Sequence, residues 1–107
     1  MTTEAASITL TGRSGKRYTY QLFSLATTFK AAPGNYFFGK VAAGLVTVLY
    51  VGQTSDLDTR FDNHHKRGCA QRHGMTNIGA HLTPGGESVR LAEEADLIAA
   101  YNPPCNG

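Results

Sequence analysis

Apolar and polar positions alternate along several stretches of the chain and recur at helical spacing in others. Ile8 and Leu10, then Tyr18, Tyr20 and Leu22, alternate around Gly12-Arg-Ser-Gly-Lys16, which predicts a β-hairpin with a basic tip. Residues Asn35 to Val41 predict a third strand. Val46, Val48 and Tyr50, alternating with Thr47, Leu49 and Val51, predict a fourth that Gly52 ends. The turn from Ala42 to Leu45 is so short that these two strands must pair antiparallel. Tyr36 and Tyr50 then lie at the same end of the ribbon, facing one pocket or serving as core aromatics. Ile78 to Leu82 predicts a short fifth strand, on which His81 has no assigned role. Phe23 to Lys30 reads as an ambiguous segment, a short helix broken by Pro33-Gly34.

Two further segments carry helix signals. A helix is expected from Asp56, with Ser55 as N-cap and the acidic Asp58 three residues on. It would set Arg60 and His64 side by side on one face, with Leu57 and Phe61 turned to the core. The last helix runs from about Glu87 to Tyr101 and is stopped by Pro103-Pro104. At about 100° per residue, Leu91, Ala95, Leu97, Ile98 and Tyr101 gather on one side with Glu94 in their middle, while Glu93 and Asp96 point outward. A carboxylate aimed at a core is costly unless it is paired or bound to a metal. Arg90, one turn earlier, is the structural candidate for a partner, and the first helix offers functional ones. The fold class is therefore α+β: a small antiparallel sheet flanked by helices, with residues 1–33 as an N-terminal β-hairpin extension packed on the core and residues 34–107 as the main unit of one compact domain.

Composition narrows the partners. The chain has 107 residues, 41% of them hydrophobic and 17% charged, with a formal net charge of +2, the profile of one ordinary globular domain. That charge permits an anionic partner without demanding one. No apolar run reaches the length of a membrane span, and no signal pattern opens the chain. Cys69 and Cys105 are too few for a disulfide scaffold, so a reducing cytoplasm is the default expectation.

Lys66-Arg-Gly-Cys-Ala-Gln-Arg-His73 reads as a basic loop. Lys66, Arg67 and Arg72 could contact a nucleic-acid backbone, or simply be solvated. His64, His65, Cys69 and His73 are zinc-ligand types, but their spacing matches no standard structural site and Cys105 is far along the chain.

Taken together, residues from about Gly34 to Asn106 resemble the GIY-YIG nuclease family. Gly34-Asn-Tyr36 looks like its first signature, with Asn35 where isoleucine is usual. Tyr50-Val-Gly52 looks like the second, continued by Gln53-Thr54 and Leu57. Arg60 and His64 stand at the family's catalytic arginine and frequent histidine. Glu94, followed by Leu97-Ile98, matches its metal-binding glutamate, and Pro103-Pro-Cys-Asn106 its closing signature.

The resemblance implies a divalent-metal-dependent endonuclease that hydrolyses phosphodiester bonds, nicking or cutting single strands as a monomer or weak dimer. Mg²⁺ or Mn²⁺ would sit on Glu94. Tyr36 would be the general base, Tyr50 would position the water or phosphate, and His64 would tune the tyrosine site. Arg60 would grip the phosphate, Asn106 would brace the site, and Gly52, Thr54, Lys66, Arg67 and Arg72 would meet the substrate. DNA, single- or double-stranded, is the expected partner, with RNA open. The competing reading is a non-catalytic nucleic-acid-binding module of the same fold. A structural interaction domain using the hairpin is a third.

Overall fold

The computed structural model describes residues 6–59 and 64–106. Five strands form one antiparallel sheet: β1 (Ser7–Thr11), β2 (Arg17–Ser24), β3 (Gly34–Ala42), β4 (Leu45–Thr54) and β5 (Asn77–Leu82). Their spatial order is β1-β2-β5-β3-β4. The described helices are α1 (Arg67–Arg72) and α2 (Glu87–Tyr101), so the α+β class holds. None is long and apolar enough to cross a membrane.

The N-terminal hairpin is hydrogen-bonded into the sheet through β2 and β5, with Leu22 opposite Gly79, so it extends the sheet and is not a separate layer on it. Its tip closes by a bond from the Gly12 amide to the Lys16 carbonyl (2.8 Å). The β3–β4 turn is built on Ala43 and Gly44, both at positive φ, the backbone that the right-handed twist of a two-residue hairpin demands.

Each face of the sheet carries its own core. On one face Tyr36, Phe38, Leu49, Ile78 and Ala80 pack with Leu57, Ala70 of α1, Met75 and Cys105. On the other, Leu10, Tyr20, Phe37, Val48 and Val51 pack against Leu97 of α2. The ladder slips by one residue between Phe38, opposite Tyr50, and Gly39, opposite Val48. This bulge interrupts the alternation expected for β4. Leu49 and Tyr50 both join the first core, whereas Val48 and Val51 join the second.

Several expected elements differ. Residues 23–30 do not form a helix: β2 continues to Ser24, and the chain then turns. Nor does β4 stop at Gly52; it runs on to Thr54, because Gly52 is a packing position within the strand. The helix expected from Asp56 is, among the described residues, a 3₁₀ turn over Leu57–Thr59. Thr54 Oγ1 both accepts from the Asp56 amide (3.0 Å) and donates to the Asp56 carbonyl (3.1 Å), while Asp56 Oδ1 accepts from the Asp58 amide (2.9 Å). Such local side-chain bonds compete with helical ones. Arg60 and Phe61 lie outside the described residues. His64 stands outside any helix, and α1 occupies the segment read as a basic loop.

Candidate active site

The centre of the site is a cluster of rings on the α1 face. Tyr36 lies opposite Gly52 on the neighbouring strand. A Cβ on Gly52 would stand 2.5 Å from the Tyr36 phenol oxygen, so the missing side chain at Gly52 is the space that this phenol fills. The Tyr36 and Tyr50 rings are 6.1 Å apart between centroids, and a hydrogen bond couples the two phenols. The His64 ring meets both tyrosines edge-on, at 5.7 and 5.1 Å.

His64 Nε2 is 2.6 Å from the Tyr36 oxygen. Its other nitrogen, Nδ1, accepts from the Lys66 backbone amide at 3.0 Å. A neutral imidazole accepting at Nδ1 must carry its proton on Nε2, so His64 is the donor toward Tyr36. The backbone thereby assigns the tautomer. His65 stacks on His64 (4.8 Å, 12°) from the solvent side.

Glu94 stands on α2, half-buried. Burial pushes its carboxyl above the usual carboxylate range. Burial also raises the Tyr50 phenol, with the Glu94 charge adding to it, while the Tyr36 hydrogen bond lowers it. What links Glu94 to the tyrosines is this electrostatic reach. As a donor set it offers one hard carboxylate oxygen pair in a partly desolvated position. That suits a cation such as Mg²⁺, which keeps most of its waters.

The face of α2 that meets the sheet, marked by Arg90, Glu93 and Leu97, is turned from the expected one centred on Glu94 by roughly 70° on a helical wheel. Glu93, expected outside, is only 5% exposed, and Leu91, expected inside, is 43% exposed; Ala95 and Tyr101 are exposed as well. The reason is a set of polar partners offered by the sheet. Glu93 accepts from the Tyr20 hydroxyl and pairs with His81 Nε2 (2.5 Å), which gives His81 its role. Burial and the Glu93 charge together drive the Tyr20 phenol far above its ordinary value. Asp96, also expected to face solvent, receives the Ser14 amide (2.8 Å) and hydroxyl (2.6 Å) and the Tyr18 hydroxyl (2.8 Å), pinning the hairpin tip to α2. Arg90 turns its Nε to Gln53 Oε1 (2.9 Å) and is not the Glu94 partner proposed from spacing.

Asn35, the departure in the first signature, is fully buried. Its Nδ2 donates to the Arg90 carbonyl (3.0 Å), tying β3 to α2. Asn106 grips the outer edge of β4: its Oδ1 accepts from the Val51 amide (2.8 Å) and its Nδ2 donates to the Val51 carbonyl (2.9 Å). The side chain acts as a peptide group would in a strand. Of the expected substrate residues, Thr54 is engaged in its own turn. Lys66 adjoins His64, while Arg67 and Arg72 stand on α1, with Arg72 exposed.

Cys69 and Cys105, too few for a disulfide scaffold, nonetheless form a single disulfide across 36 residues. Spacing alone hid it, because the sheet returns the C-terminal segment to α1. Together with His73 they make a group that could hold a metal ion.

Family models, curated proteins and solved structures were all compared with this chain, and none matches it.

Proposed function

We propose that the protein is a metal-dependent endonuclease of the GIY-YIG type, acting on DNA in the cytoplasm. The observation that carries this reading is the hydrogen-bonded trio of Tyr36, His64 and Tyr50, with the His64 tautomer set by the Lys66 amide. A tyrosine that takes a proton from water must first hold negative charge on its oxygen. Hydrogen bonds to the charged form favour it. Once Tyr36 is ionised, His64 Nε2–H and the Tyr50 hydroxyl are both available as donors to that oxygen.

Tyr36 is accordingly the general base and Tyr50 the group that orients the water or phosphate. Glu94 would hold Mg²⁺ or Mn²⁺, which when bound supplies Lewis-acid stabilisation of charge on the phosphate and leaving oxygen. Arg60, from the resemblance, is assigned to the phosphate, where a guanidinium offers paired donors. Lys66, Arg67 and Arg72 supply basic groups beside the cluster for a nucleic-acid backbone. Gly52 acts by making room for the general base, and Asn106 by fixing β4 beside Tyr50.

The test is cleavage of labelled single-stranded, duplex and branched DNA, and of RNA, with Mg²⁺, Mn²⁺ or EDTA. Tyr36→Phe and Glu94→Ala run beside the wild type. Metal-dependent cutting that both variants lose supports the proposal and names the substrate. Cutting that survives Glu94→Ala overturns the metal assignment. Binding without cutting, on every substrate, replaces the enzyme with a nucleic-acid-binding module.

A further inference from the structure

The disulfide between Cys69 and Cys105 has a third neighbour that a simple cross-link does not need. His73 Nδ1 lies 3.9 Å from the Cys69 sulfur and 3.9 Å from the Cys105 sulfur. His73 follows the last residue of α1, one turn beyond Cys69, so the helix itself delivers both groups to one side. Cys105 arrives from the C-terminal segment, held there by its backbone amide donating to the Leu49 carbonyl (2.9 Å). Two sulfurs and an imidazole nitrogen thus converge from two separate segments, both anchored to the same sheet.

We propose that the reduced pair, with His73, is a binding site for one soft divalent ion of the zinc class. Thiolate and imidazole donors select such ions over Mg²⁺ or Ca²⁺. A tetrahedral zinc with ordinary bond lengths sets its sulfurs about 3.8 Å apart and each sulfur about 3.5 Å from the nitrogen. The nitrogen is already close to that distance. The sulfurs, joined as a disulfide, need only separate once their bond is broken. His73 is exposed and Cys69 half-buried, so both side chains have room to adjust, and the exposed flank leaves the fourth position to water. The Nδ1 contact with the Cys69 carbonyl (2.9 Å) competes with the metal; it gives way when the ring carries its proton on Nε2.

The chemistry balances with an external dithiol. The disulfide gains two electrons and two protons and becomes two thiols, while the dithiol is oxidised to its own disulfide. Metal binding then releases the two thiol protons to solvent. In a reducing compartment the dithiol form prevails. Either closure, covalent or metal, ties α1 to the segment that carries Asn106. This site is distinct from the Glu94 position, whose oxygen ligand suits a hard cation.

Titration of the phosphine-reduced protein with Co²⁺, followed by Zn²⁺, tests the proposal. One Co²⁺ per chain is expected, with thiolate-to-cobalt charge-transfer absorption and visible bands of a tetrahedral ion, all abolished by Zn²⁺. The disulfide form should lack the charge-transfer band, and Cys69→Ser, with one thiolate left, should bind Co²⁺ more weakly and show at most about half of the band at saturation. His73→Ala, a change at an exposed position, should weaken binding by about tenfold or more. A Co²⁺ complex at Glu94 gives no thiolate band, so the two sites are told apart. Reduced protein that shows no thiolate band, or His73→Ala that binds as tightly as wild type, overturns the assignment.

Discussion

Tyr36 and His64 share a hydrogen bond of 2.6 Å whose direction is set from behind, by the Lys66 amide donating to the far side of the imidazole. The two rings therefore act as one unit. Tyr36→Phe removes the oxygen but keeps the ring, so cleavage should fall by about 10² or more while the thermal midpoint stays close to that of the wild type. His64→Gln should retain part of the activity and His64→Leu almost none, because glutamine keeps a donor. Steady-state cleavage rates and melting curves of the three variants check this.

The neighbouring acids of α2 should separate stability from activity. Glu93→Ala leaves the Tyr20 hydroxyl buried without its acceptor and His81 without its carboxylate. A loss of about 2–4 kcal/mol is expected, read from urea unfolding. Glu94→Ala should cost little stability and abolish metal-dependent cutting. A Glu94 variant that unfolds the protein while Glu93→Ala does not would reverse these roles.

Glu94 also predicts a pH dependence. Its carboxyl is raised by burial, so the folded chain binds that proton more tightly than the unfolded chain does. Ionisation of Glu94 therefore opposes folding, with the effect appearing as pH rises through the unfolded value near 4.3 and complete above the raised folded one. Without metal, Glu94→Gln should be more stable than wild type at pH 7, and the difference should vanish below about pH 4. Saturating Mg²⁺ should shrink the neutral-pH difference by stabilising the wild type. Unfolding curves at several pH values, with and without the ion, measure all three arms.

Asn106 replaces a strand partner for Val51 with both of its amide atoms. Asn106→Ala should cost about 1–3 kcal/mol and raise hydrogen exchange at the Val51 amide, with activity falling in step with the order of β4. Asn106→Asp keeps the acceptor but loses the donor, so the Val51 amide should stay protected in that variant.

Most of the sheet was legible because alternation and turn residues survive tertiary packing. The hairpin around residues 12–16, the Ala42–Leu45 turn and the span of α2 all stand as read. What the pattern could not register is the bulge at Leu49. Strict alternation assigns Tyr50 to the face of Val48, whereas the slipped ladder turns it to the side of Tyr36. The orientation of α2 was missed for a different reason. Apolar residues alone located its inner face, and Tyr20 and His81, distant in sequence, supply the polar contacts that rotate Glu93 inward. Gly79 lies beside a Phe37 ring that would clash with any side chain there, and a glycine inside a strand is itself a sign of such close packing. Helix signals at Ser55 misled because the Thr54 and Asp56 side chains capture the backbone groups first.

The Asn106 clamp has a consequence beyond bracing. The sheet has two outer strands, β1 and β4, and an outer strand invites pairing with another molecule. On β4 the amide and carbonyl of Val51, and the carbonyl of Leu49, are already taken by Asn106 and the Cys105 amide. A second copy cannot zip onto this strand at its middle, and an extended peptide cannot dock there either. The edge beside the tyrosines is closed to β-strand addition, so association along β4 requires the C-terminal segment to peel away first.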